Sequence, residues 1–534
     1  MWTRLRVWLV VLALAGVGMG SASLAGGIAG AATGNPDTLA ALGTSPLALS
    51  PAFAPSIHDY FVRCAAGTNS LTIVYGAKSG GKAGLVAPIV TKPKPSRLDT
   101  VNLAESQAAV IAATDGVGGK SQYWIRCLPH DFPQIIVKAH PHKGAPTPGW
   151  YLTGTIGGPA GYAMMLDTDG TPVWYRKANS GAAIDVTPLA PNQVAYMNVI
   201  TQLGYGIDPA VVFDVYHLDT KQRTHISTVN PAANPTDLHE LQQLPNGNHL
   251  LLSYRLTRGV DLTGLPANPP GHPNSTIADC VIQEVNPQGG LVWKWKGSDH
   301  IDPVKENTFP AAPATVNGEQ VYDVYHCNSV DASPTGDLLV SARHLNAVFE
   351  IQRATGKIVW KLGGKPVSKD GAQILAFQND PQNGIIEQHD ARFRPNGNIS
   401  LFDDHSFAGP ARGVEYALNL TNGTATLVAQ FPSPLAQSSL ATGSFRRFSD
   451  GHSVAGWGIT GSMGNAALLT EFDAAGNDVL DMSFASGVQS YRVLKAPLAM
   501  FDRQLLRHTA GSAGWTDTGP SASGVTSLAV LSRL

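Results

Sequence analysis

The fold of this chain is decided by residues 323–364, which read DVYHCNSVDASPTGDLLVSARHLNAVFEIQRATGKIVWKLGG. Three short apolar runs, LLVSAR, AVFEI and IVWKL, are separated by polar or Gly-bearing segments, a pattern typical of an antiparallel meander. His326 precedes the first of these strands and Arg343 ends it. A β-propeller blade has one strand end near a central channel, so a histidine and an arginine there would converge on an anionic group.

The same frame recurs elsewhere in the chain. His239 opens HELQQLPNGNHLLLSYR and His389 opens HDARFRPNGNISLFDD, with a PNGN turn at a similar distance from each histidine. A fourth copy, GSFRRFSDGHSVAGWG, has Gly443 where the histidine would fall. The partner hairpins repeat as LDTDGTPVWY, VNPQGGLVWKW, IQRATGKIVWKL and FDAAGNDVLDMSF. All-strand units that repeat at intervals of tens of residues predict a β-propeller rather than a sandwich.

Composition agrees with this fold class. The chain has 534 residues, enough to bury a large core, and only 14% of them are charged. Its 56 glycines and 37 prolines suit many short strands and turns, and helical periodicity is scarce, which predicts an all-β protein. The formal net charge of −2 and the absence of a long basic run argue against nucleic acid as a partner.

Residues 1–32 have the features of a signal peptide. Arg4 and Arg6 precede the apolar run VWLVVLALAGVGMG, and small residues with an Ala29-Gly30-Ala31 site follow. The alternative is an uncleaved anchor, which would give the protein membrane contact. We expect an exported protein in the periplasm, the cell envelope or the extracellular space.

The rest of the chain divides into three predicted parts. Residues 35–145 contain the strand-like segments DYFVRC, SLTIVYG and SQYWIRCLPHDF and predict a small β-sandwich. Residues 149–508 hold the repeats and form the predicted propeller. Residues 509–534 are rich in Ser, Gly and Thr and predict a flexible tail.

The four cysteines fall into two pairs. Cys64 and Cys127 occur in the similar contexts FVRCA and WIRCL, and in an exported protein this favours a disulfide over a metal site. Cys280 and Cys327 would either pair between neighbouring blades or remain buried apolar residues.

Two long inserts, residues 301–322 and 363–388, each lie upstream of a repeat histidine. Long loops beside reactive residues are expected to build the walls of a pocket.

His239, His326 and His389 occupy the same position in three repeats, so in a propeller their side chains would point at a common axis. Three imidazoles can bind zinc, but Arg343, and with it Arg255 and Arg412, would repel a cation. Arginine and histidine together instead suit a tetrahedral oxyanion, and neutral imidazole is a competent nucleophile. The residue types therefore indicate sulfuryl or phosphoryl transfer through a covalent histidine, and the sequence has neither a nucleotide-binding GxxxxGK[ST] loop nor a GxSxG elbow.

The strings HCNSVDASPTGDLLVSARHLNAVFEIQRATGKIVWKLGG, EQHDARFRPNGNISLFDDHS and ARGVEYALN resemble the bacterial arylsulfotransferase family, in its secreted branch with an N-terminal β-domain. The resemblance covers roughly residues 150–495. It implies a six-bladed propeller enzyme that moves a sulfuryl group from an aryl sulfate ester to a phenol. It also implies no nucleotide donor, no cofactor and no metal, and leaves the oligomeric state unknown.

The resemblance also carries residue roles. His389, in EQHDA, matches the nucleophile that becomes a sulfohistidine in a ping-pong cycle. His326 and Arg343 match residues that bind the sulfuryl oxygens and act on the phenolic oxygen. His239 matches a further channel histidine that binds substrate, and Asn328, in the same motif as His326, is expected to add a donor.

Alternatives to this interpretation remain. Arg343 would instead pair with an acid of a neighbouring blade such as Asp404, and Asp390 would either orient His389 or face solvent. A separate alternative for the whole protein is a non-catalytic binding propeller, in which the sandwich and the propeller form a surface for a partner. With water in place of the phenol, the protein would be a sulfate or phosphate ester hydrolase that uses the same histidine.

Overall fold

The structure is a computed structural model that describes residues 36–179, 181–199, 211–460, 466–485 and 487–517. The predicted signal peptide, residues 1–32, lies outside these ranges. The fold is nearly all β, with 50% strand and 4% helix, which confirms the predicted class. In the part of the chain that is described, no helix has the length and apolarity needed to cross a membrane.

The strands before residue 140 are β1 (Leu39–Ser45), β2 (Asp59–Arg63), β3 (Thr68–Ala77), β4 (Ala83–Ala87), β5 (Ser96–Ala104), β6 (Ala108–Thr114), β7 (Lys120–Leu128) and β8 (Ile135–Ala139). The next strands are β9 (Trp150–Gly154), β10 (Ile156–Gly157), β11 (Tyr162–Leu166), β12 (Pro172–Lys177), β13 (Ala183–Pro188), β14 (Gln193–Asn198), β15 (Phe213–His217), β16 (Gln222–Ile226), β17 (Thr236–Gln243), β18 (His249–Val260), β19 (Ser275–Val285), β20 (Leu291–Lys296), β21 (Ala314–Val316) and β22 (Glu319–Tyr322).

The remaining strands are β23 (Cys327–Ala332), β24 (Leu338–Ala342), β25 (Ala347–Ile351), β26 (Ile358–Gly363), β27 (Gln373–Gln378), β28 (His389–Phe393), β29 (Ile399–Asp403), β30 (Arg412–Asn419), β31 (Thr424–Pro432), β32 (Ser444–Arg447), β33 (Ser453–Gly456), β34 (Ala466–Phe472), β35 (Asp478–Phe484), β36 (Val488–Gln489), β37 (Val493–Ala496) and β38 (Thr516–Asp517). The helices are α1 (Gly297–His300) and α2 (Arg503–Thr509), with 3-10 turns at Arg343–Leu345 and Leu498–Met500.

Two sheets form at the N-terminal end and share one core. Their strand orders are β1-β3-β5 and β2-β7-β6-β4. Buried residues of both sheets, such as Ile73 of β3 and Ile125 of β7, lie in one hydrophobic cluster. The predicted disulfide between Cys64 and Cys127 is present and joins the chain after β2 to β7.

Seven further sheets follow in the described residues. One is the two-stranded β10-β36, and we number the other six along the chain. Sheet 1 has the order β12-β11-β9-β37, sheet 2 β13-β14-β15-β16-β38, and sheet 3 β17-β18-β19-β20, with the β21-β22 hairpin also on β19. Sheet 4 is β23-β24-β25-β26, sheet 5 is β28-β29-β30-β31, and sheet 6 is β32-β33-β34-β35-β8. Strand β27 pairs in parallel with β26 and with β31 and so joins sheets 4 and 5.

These sheets are arranged in a cycle. The first strands of sheets 2 to 6 and β37 of sheet 1 contact one another in the order β13, β17, β23, β28, β32, β37 and again β13. Each sheet packs on both of its neighbours. In β18, for example, Leu250 belongs to a core with residues of sheet 4, whereas Leu251 belongs to a core with residues of sheet 2.

The repeated PNGN turns have one geometry. Gly247 and Gly397 each adopt a φ of +85°, a conformation that glycine reaches without steric cost. In each turn the first Asn accepts from the backbone N–H two residues later, at 3.0 Å for Asn246 and 3.1 Å for Asn396. The turns therefore start the second strand of sheets 3 and 5 in the same way.

Two segments pair outside the parts predicted for them. Strand β8 lies inside residues 35–145 but pairs antiparallel with β35 of sheet 6. In the predicted flexible tail, β38 pairs in parallel with β16 of sheet 2. Sheet register in both cases depends on partners more than 290 residues away, which local composition does not encode.

Candidate active site

The three repeat histidines meet because they occupy equivalent places on adjacent strands. His239 lies in β17, His326 directly precedes β23, and His389 begins β28. Strand β23 contacts both β17 and β28. The ring centroids of His239 and His326 are 5.0 Å apart, and His389 is only 1% exposed. The sequence repeat therefore becomes a cluster of imidazoles around one buried point.

Each of these histidines is held by a carboxylate at Nδ1. The Nδ1 atoms lie 2.7 Å from Asp237 for His239, 2.5 Å from Asp323 for His326 and 2.7 Å from Asp404 for His389. When the carboxylate is ionised it can only accept, so a neutral ring donates its Nδ1–H and keeps a lone pair on Nε2. Burial raises the pKa of Asp404 and of Asp323, and the charge of Arg343 opposes this rise at both carboxylates.

His389 is suited to act as a nucleophile. Burial lowers its pKa well below the ordinary value, and the charges of Arg343, His239 and His326 lower it further. The hydrogen bond of this ring in the described residues is the one at Nδ1, and its Nε2 makes none there. A neutral imidazole with an unengaged lone pair is the form that attacks an electrophile.

Arg343 offers an unpaired donor beside this cluster. It is 9% exposed, its Nη2 forms an ion pair with Glu387 and donates to the Leu440 carbonyl oxygen at 3.0 Å, and its Nη1 lies 3.1 Å from Nε2 of His344. The buried Nε has no partner within the described ranges. Arg343 does pair with an acid from the neighbouring sheet, as the alternative expected, but that acid is Glu387, which precedes β28, and not Asp404.

Asn328 contacts the chain next to His389. It is fully buried, and its Nδ2 donates to the Gln388 carbonyl oxygen at 2.8 Å. The amide oxygen Oδ1 has no partner in the described part of the molecule. Asn328 therefore holds the strand that carries His389, and at least one of its two N–H groups is used for that purpose.

Asp390 neither orients His389 nor faces solvent. It is fully buried and accepts from Arg392 at 2.7 Å and from Arg446 at 2.7 and 2.8 Å. Burial raises the pKa of Asp390, but the charges of Arg446 and Arg392 outweigh it and hold this pKa below its ordinary value. Asp390 thus belongs to an ionic network next to the histidines.

The backbone at the site is unusual. His326, Glu387 and Asp390 have φ values of +51°, +56° and +55°, in the left-handed region that non-glycine residues rarely adopt. Such conformations cluster at functional sites, where the surrounding structure imposes them.

The side chains of Asp323, His326 and His344 could hold a metal ion, since their ligand atoms lie within 4.8 Å of one another. However, both Nδ1 atoms already bond to Asp323, through its carboxylate for His326 and through its carbonyl oxygen for His344 at 2.7 Å. The guanidinium of Arg343 stands beside His344 as well. These contacts favour an anion over a cation at this position.

A disulfide lies next to His326. Cys280 of β19 and Cys327 of β23 are bonded, which resolves the open alternative for this pair. The bond joins sheet 3 to sheet 4 one residue after His326.

The family of the chain follows from a sequence-family comparison. The model of the arylsulfotransferase (ASST) family matches residues 212–485, a little over half of the chain. The chain belongs to the arylsulfotransferase family. All five predicted site residues lie in the matched segment of this arylsulfotransferase-family protein, which confirms the resemblance seen in the motifs.

Solved structures give distant likenesses to this arylsulfotransferase-family chain. A protein of unknown function from Bacteroides caccae has 14% identity and a TM-score of 0.39, and covers 66% of this chain and 99% of its own. A catalytically inactive virginiamycin B lyase from Staphylococcus aureus, with quinupristin, has 8% identity and a TM-score of 0.30. The match covers 66% of this chain and 99% of the lyase. A luciferin-regenerating enzyme has 11% identity and a TM-score of 0.33, and the match covers 68% of this chain and 100% of the enzyme. Likeness at this level supports no conclusion about fold or activity, and no curated protein matches the sequence.

Several residues at the site were missed by sequence reasoning. Tyr254 and Tyr491 pack on His239 with ring centroids at 5.6 and 5.7 Å, and burial raises the pKa of both phenols well above the ordinary value. Phe309, from the insert 301–322, packs at 4.9 Å on His344 and at 5.4 Å on the guanidinium of Arg343. Tyr254 lies in the LLLSYR segment of β18 and could have been predicted from the repeat, whereas Phe309 and Tyr491 have no repeated motif.

Proposed function

We propose that this protein transfers a sulfuryl group from an aryl sulfate ester to a phenol, with His389 carrying the group between the two half-reactions. The observation that carries the proposal is the environment of His389, in a chain that belongs to the arylsulfotransferase family. This histidine is buried, is kept neutral, and is tied through Nδ1 to Asp404 at 2.7 Å.

In the first half-reaction, Nε2 of His389 attacks sulfur and the bond from sulfur to the aryl oxygen breaks. The electron pair of that bond leaves on the aryl oxygen as phenolate. Arg343, through its unpaired Nε, would bind the non-bridging sulfuryl oxygens. Asp404 accepts the Nδ1–H and compensates the positive charge that develops on the imidazole.

In the second half-reaction, the acceptor phenol loses its proton and its oxygen attacks the sulfur bound to His389, which regenerates the free imidazole. His326 is the base in this scheme. Burial lowers its pKa well below the ordinary value, and the charges of His239 and Arg343 lower it further, so that His326 is neutral at neutral pH. A neutral imidazole suits a base for the acceptor better than an acid for the leaving group. His239 and Asn328 are proposed to bind substrate and to support His389.

The proposed fold is a six-bladed β-propeller over residues 149–508, preceded by a β-sandwich domain over residues 35–145. The cyclic contacts of the first strands support six blades. Pairing of β9 with β37 supports ring closure by the two ends of this region. The shared core of the two N-terminal sheets supports the sandwich.

We also propose that the protein is exported and acts on small molecules without a cofactor or nucleic acid. All four cysteines of the chain form disulfides, which is compatible with an oxidising compartment.

The test is the release of nitrophenolate from 4-nitrophenyl sulfate, measured with and without phenol and followed by detection of phenyl sulfate. We expect turnover that depends on phenol, with ping-pong kinetics, and no turnover in His389→Ala. His249→Ala is the matched control, since His249 is also buried but lies at the PNGN turn of β18. Sustained release without phenol would replace the transferase with a hydrolase. No release across several aryl sulfates would contradict both enzymes and favour a binding propeller.

A further inference from the structure

Arg492 lies at the centre of the ring and contacts several of its sheets. It directly precedes β37 and is 2% exposed. Its Nη1 lies 2.9 Å from Oδ1 of Asp185, in sheet 2, and 3.3 Å from Oε1 of Glu240, in sheet 3. Its Nη2 donates to the carbonyl oxygens of His239 at 3.0 Å and of Asn328 at 3.4 Å.

A second link joins Arg492 to His389. The Nε of Arg492 lies 3.8 Å from Oδ1 of Asp390, the residue that follows His389. Asp390 also accepts from the backbone N–H of Phe445 at 3.1 Å and from the two arginines described above. The backbone at Asp390 is in the left-handed region, so its conformation depends on these contacts.

We infer that Arg492 is a positioning residue of the active site. One guanidinium holds the main chain at His239 and at Asn328 by hydrogen bonds, and its charge attracts Asp390, the residue after His389, across 3.8 Å. The side chains of His239, Asn328 and His389 then face one substrate from three adjacent strands. This inference rests on the proposed function, and Arg492 itself touches no reacting atom.

Lysine cannot replace arginine here. A guanidinium presents its donors in a rigid planar fork, whereas an ammonium is a point charge on a flexible stem. Arg492→Lys therefore keeps the charge and loses the simultaneous contacts. Arg507 supplies a matched control, because it is 1% exposed and forks onto Asp59 at 2.7 and 2.8 Å but joins α2 to the N-terminal sheets.

The experiment compares Arg492→Lys with Arg507→Lys in melting temperature, in KM, and in the first-turnover rate of nitrophenolate release. We expect both variants to melt at lower temperature. Only Arg492→Lys should slow the first turnover, by about 10- to 100-fold, because small displacements of reacting groups are costly. Its KM should change by less than about threefold.

A pH profile adds a readout that a purely structural role would not move. The groups whose positive charge lowers the pKa of His389 are Arg343 and Arg492 and, when protonated, His239 and His326, and Asp404 is its carboxylate partner. Arg492→Met removes one positive charge, so the acidic limb of the first-turnover rate should move to higher pH. In Arg492→Lys this limb should stay in place.

Asp185→Asn is the second variant if Arg492→Lys does not fold. Asp185 contacts Arg492 alone among the described hydrogen bonds and has a φ of +51°, which asparagine tolerates. It should slow the first turnover in the same direction and to a smaller extent. A wild-type rate in the variant that folds, or equal slowing in Arg507→Lys, would overturn the inference. Absence of a first turnover in the wild type would instead contradict the proposed function.

Discussion

At the scale of single residues, the site consists of histidines paired with buried carboxylates. Each carboxylate engages Nδ1, which selects the tautomer that has a lone pair on Nε2. The chemistry of His389 therefore depends on Asp404 as much as on the imidazole itself.

Asp404→Asn tests this dependence. The asparagine amide can donate to Nδ1, which moves the ring proton to Nε2 and removes the attacking lone pair. We expect the first-turnover rate with 4-nitrophenyl sulfate to fall by about 10²- to 10⁴-fold, as in other His–Asp pairs. Asp237→Asn makes the same change at His239 and should cost far less. A first-turnover rate in Asp404→Asn close to the wild type would contradict the role assigned to the pair.

Phe309→Ala tests the contact of substrate with the insert 301–322. The Phe309 ring is 37% exposed beside Arg343, so one face is available to stack on an aryl group whose sulfate lies at the guanidinium. Loss of an aromatic contact should raise KM for 4-nitrophenyl sulfate by about 2- to 10-fold, with a smaller change in kcat.

Phe377→Ala is the control, because Phe377 of β27 packs on Tyr416 of β30 and its ring contacts none of the site residues in the described part of the chain. Equal KM values in the wild type and in Phe309→Ala would contradict a contact between Phe309 and the aryl group of the substrate.

The histidines could be predicted from sequence because each occupies the same position in a repeat. Their carboxylates could not, because Asp237 is two residues before its histidine, Asp323 three before and Asp404 fifteen after. Arg492 was missed for a different reason. It comes from the segment that closes the ring, and its contacts arise only when distant strands meet.

At the scale of elements, the disulfide between β19 and β23 joins two sheets next to a site residue. Cys327 directly follows His326, and His326 is held in a left-handed conformation. The disulfide between Cys64 and Cys127 lies in the N-terminal sheets and provides a natural comparison.

Replacing Cys280 and Cys327 together by alanine should lower stability by about 2–4 kcal/mol and also reduce the transfer rate. The corresponding double replacement of Cys64 and Cys127 should lower stability by a similar amount without a change in rate. Melting temperature and initial rate of nitrophenolate release are the measurements. If the Cys280/Cys327 variant has lowered stability and an unchanged rate, the disulfide does not contribute to the geometry of the site, and this prediction is contradicted.

The strands and turns of the repeats could be predicted because their signals are local. Alternating apolar residues and PNGN turns carry the information within each hairpin. The parallel partner β27 and the late partners β8 and β38 were not predicted, since their pairing depends on strands that are distant in sequence.

At the scale of the whole molecule, the N-terminal sheets and sheet 1 meet at a buried carboxylate. Asp167 lies in the turn between β11 and β12 and accepts from the backbone N–H of Thr171 at 2.9 Å. The Thr171 hydroxyl donates to the carbonyl oxygen of Asp59, in β2, at 3.4 Å. Burial, together with the charges of Asp59 and Asp169, raises the pKa of Asp167 to about 7.

A raised pKa in the folded state makes stability depend on pH. The folded protein holds the Asp167 proton more tightly than the unfolded chain, so this stabilisation is complete below about pH 4 and is lost as pH rises towards about 7. Asp167→Asn keeps an oxygen that can accept from the turn and does not titrate. The free energy of unfolding of the wild type relative to Asp167→Asn should therefore fall by up to about 4 kcal/mol over this interval. A difference between the two proteins that does not vary with pH would contradict this account.

The most direct test of the central claim is the intact mass of the protein after mixing with excess 4-nitrophenyl sulfate in the absence of phenol. We predict that the wild type gains the mass of one sulfuryl group, that peptide mapping finds it on His389, and that phenol then removes it as phenyl sulfate. His389→Ala should gain nothing. Wild-type protein that releases nitrophenolate without gaining mass, or that carries the group on another residue, would contradict transfer through His389.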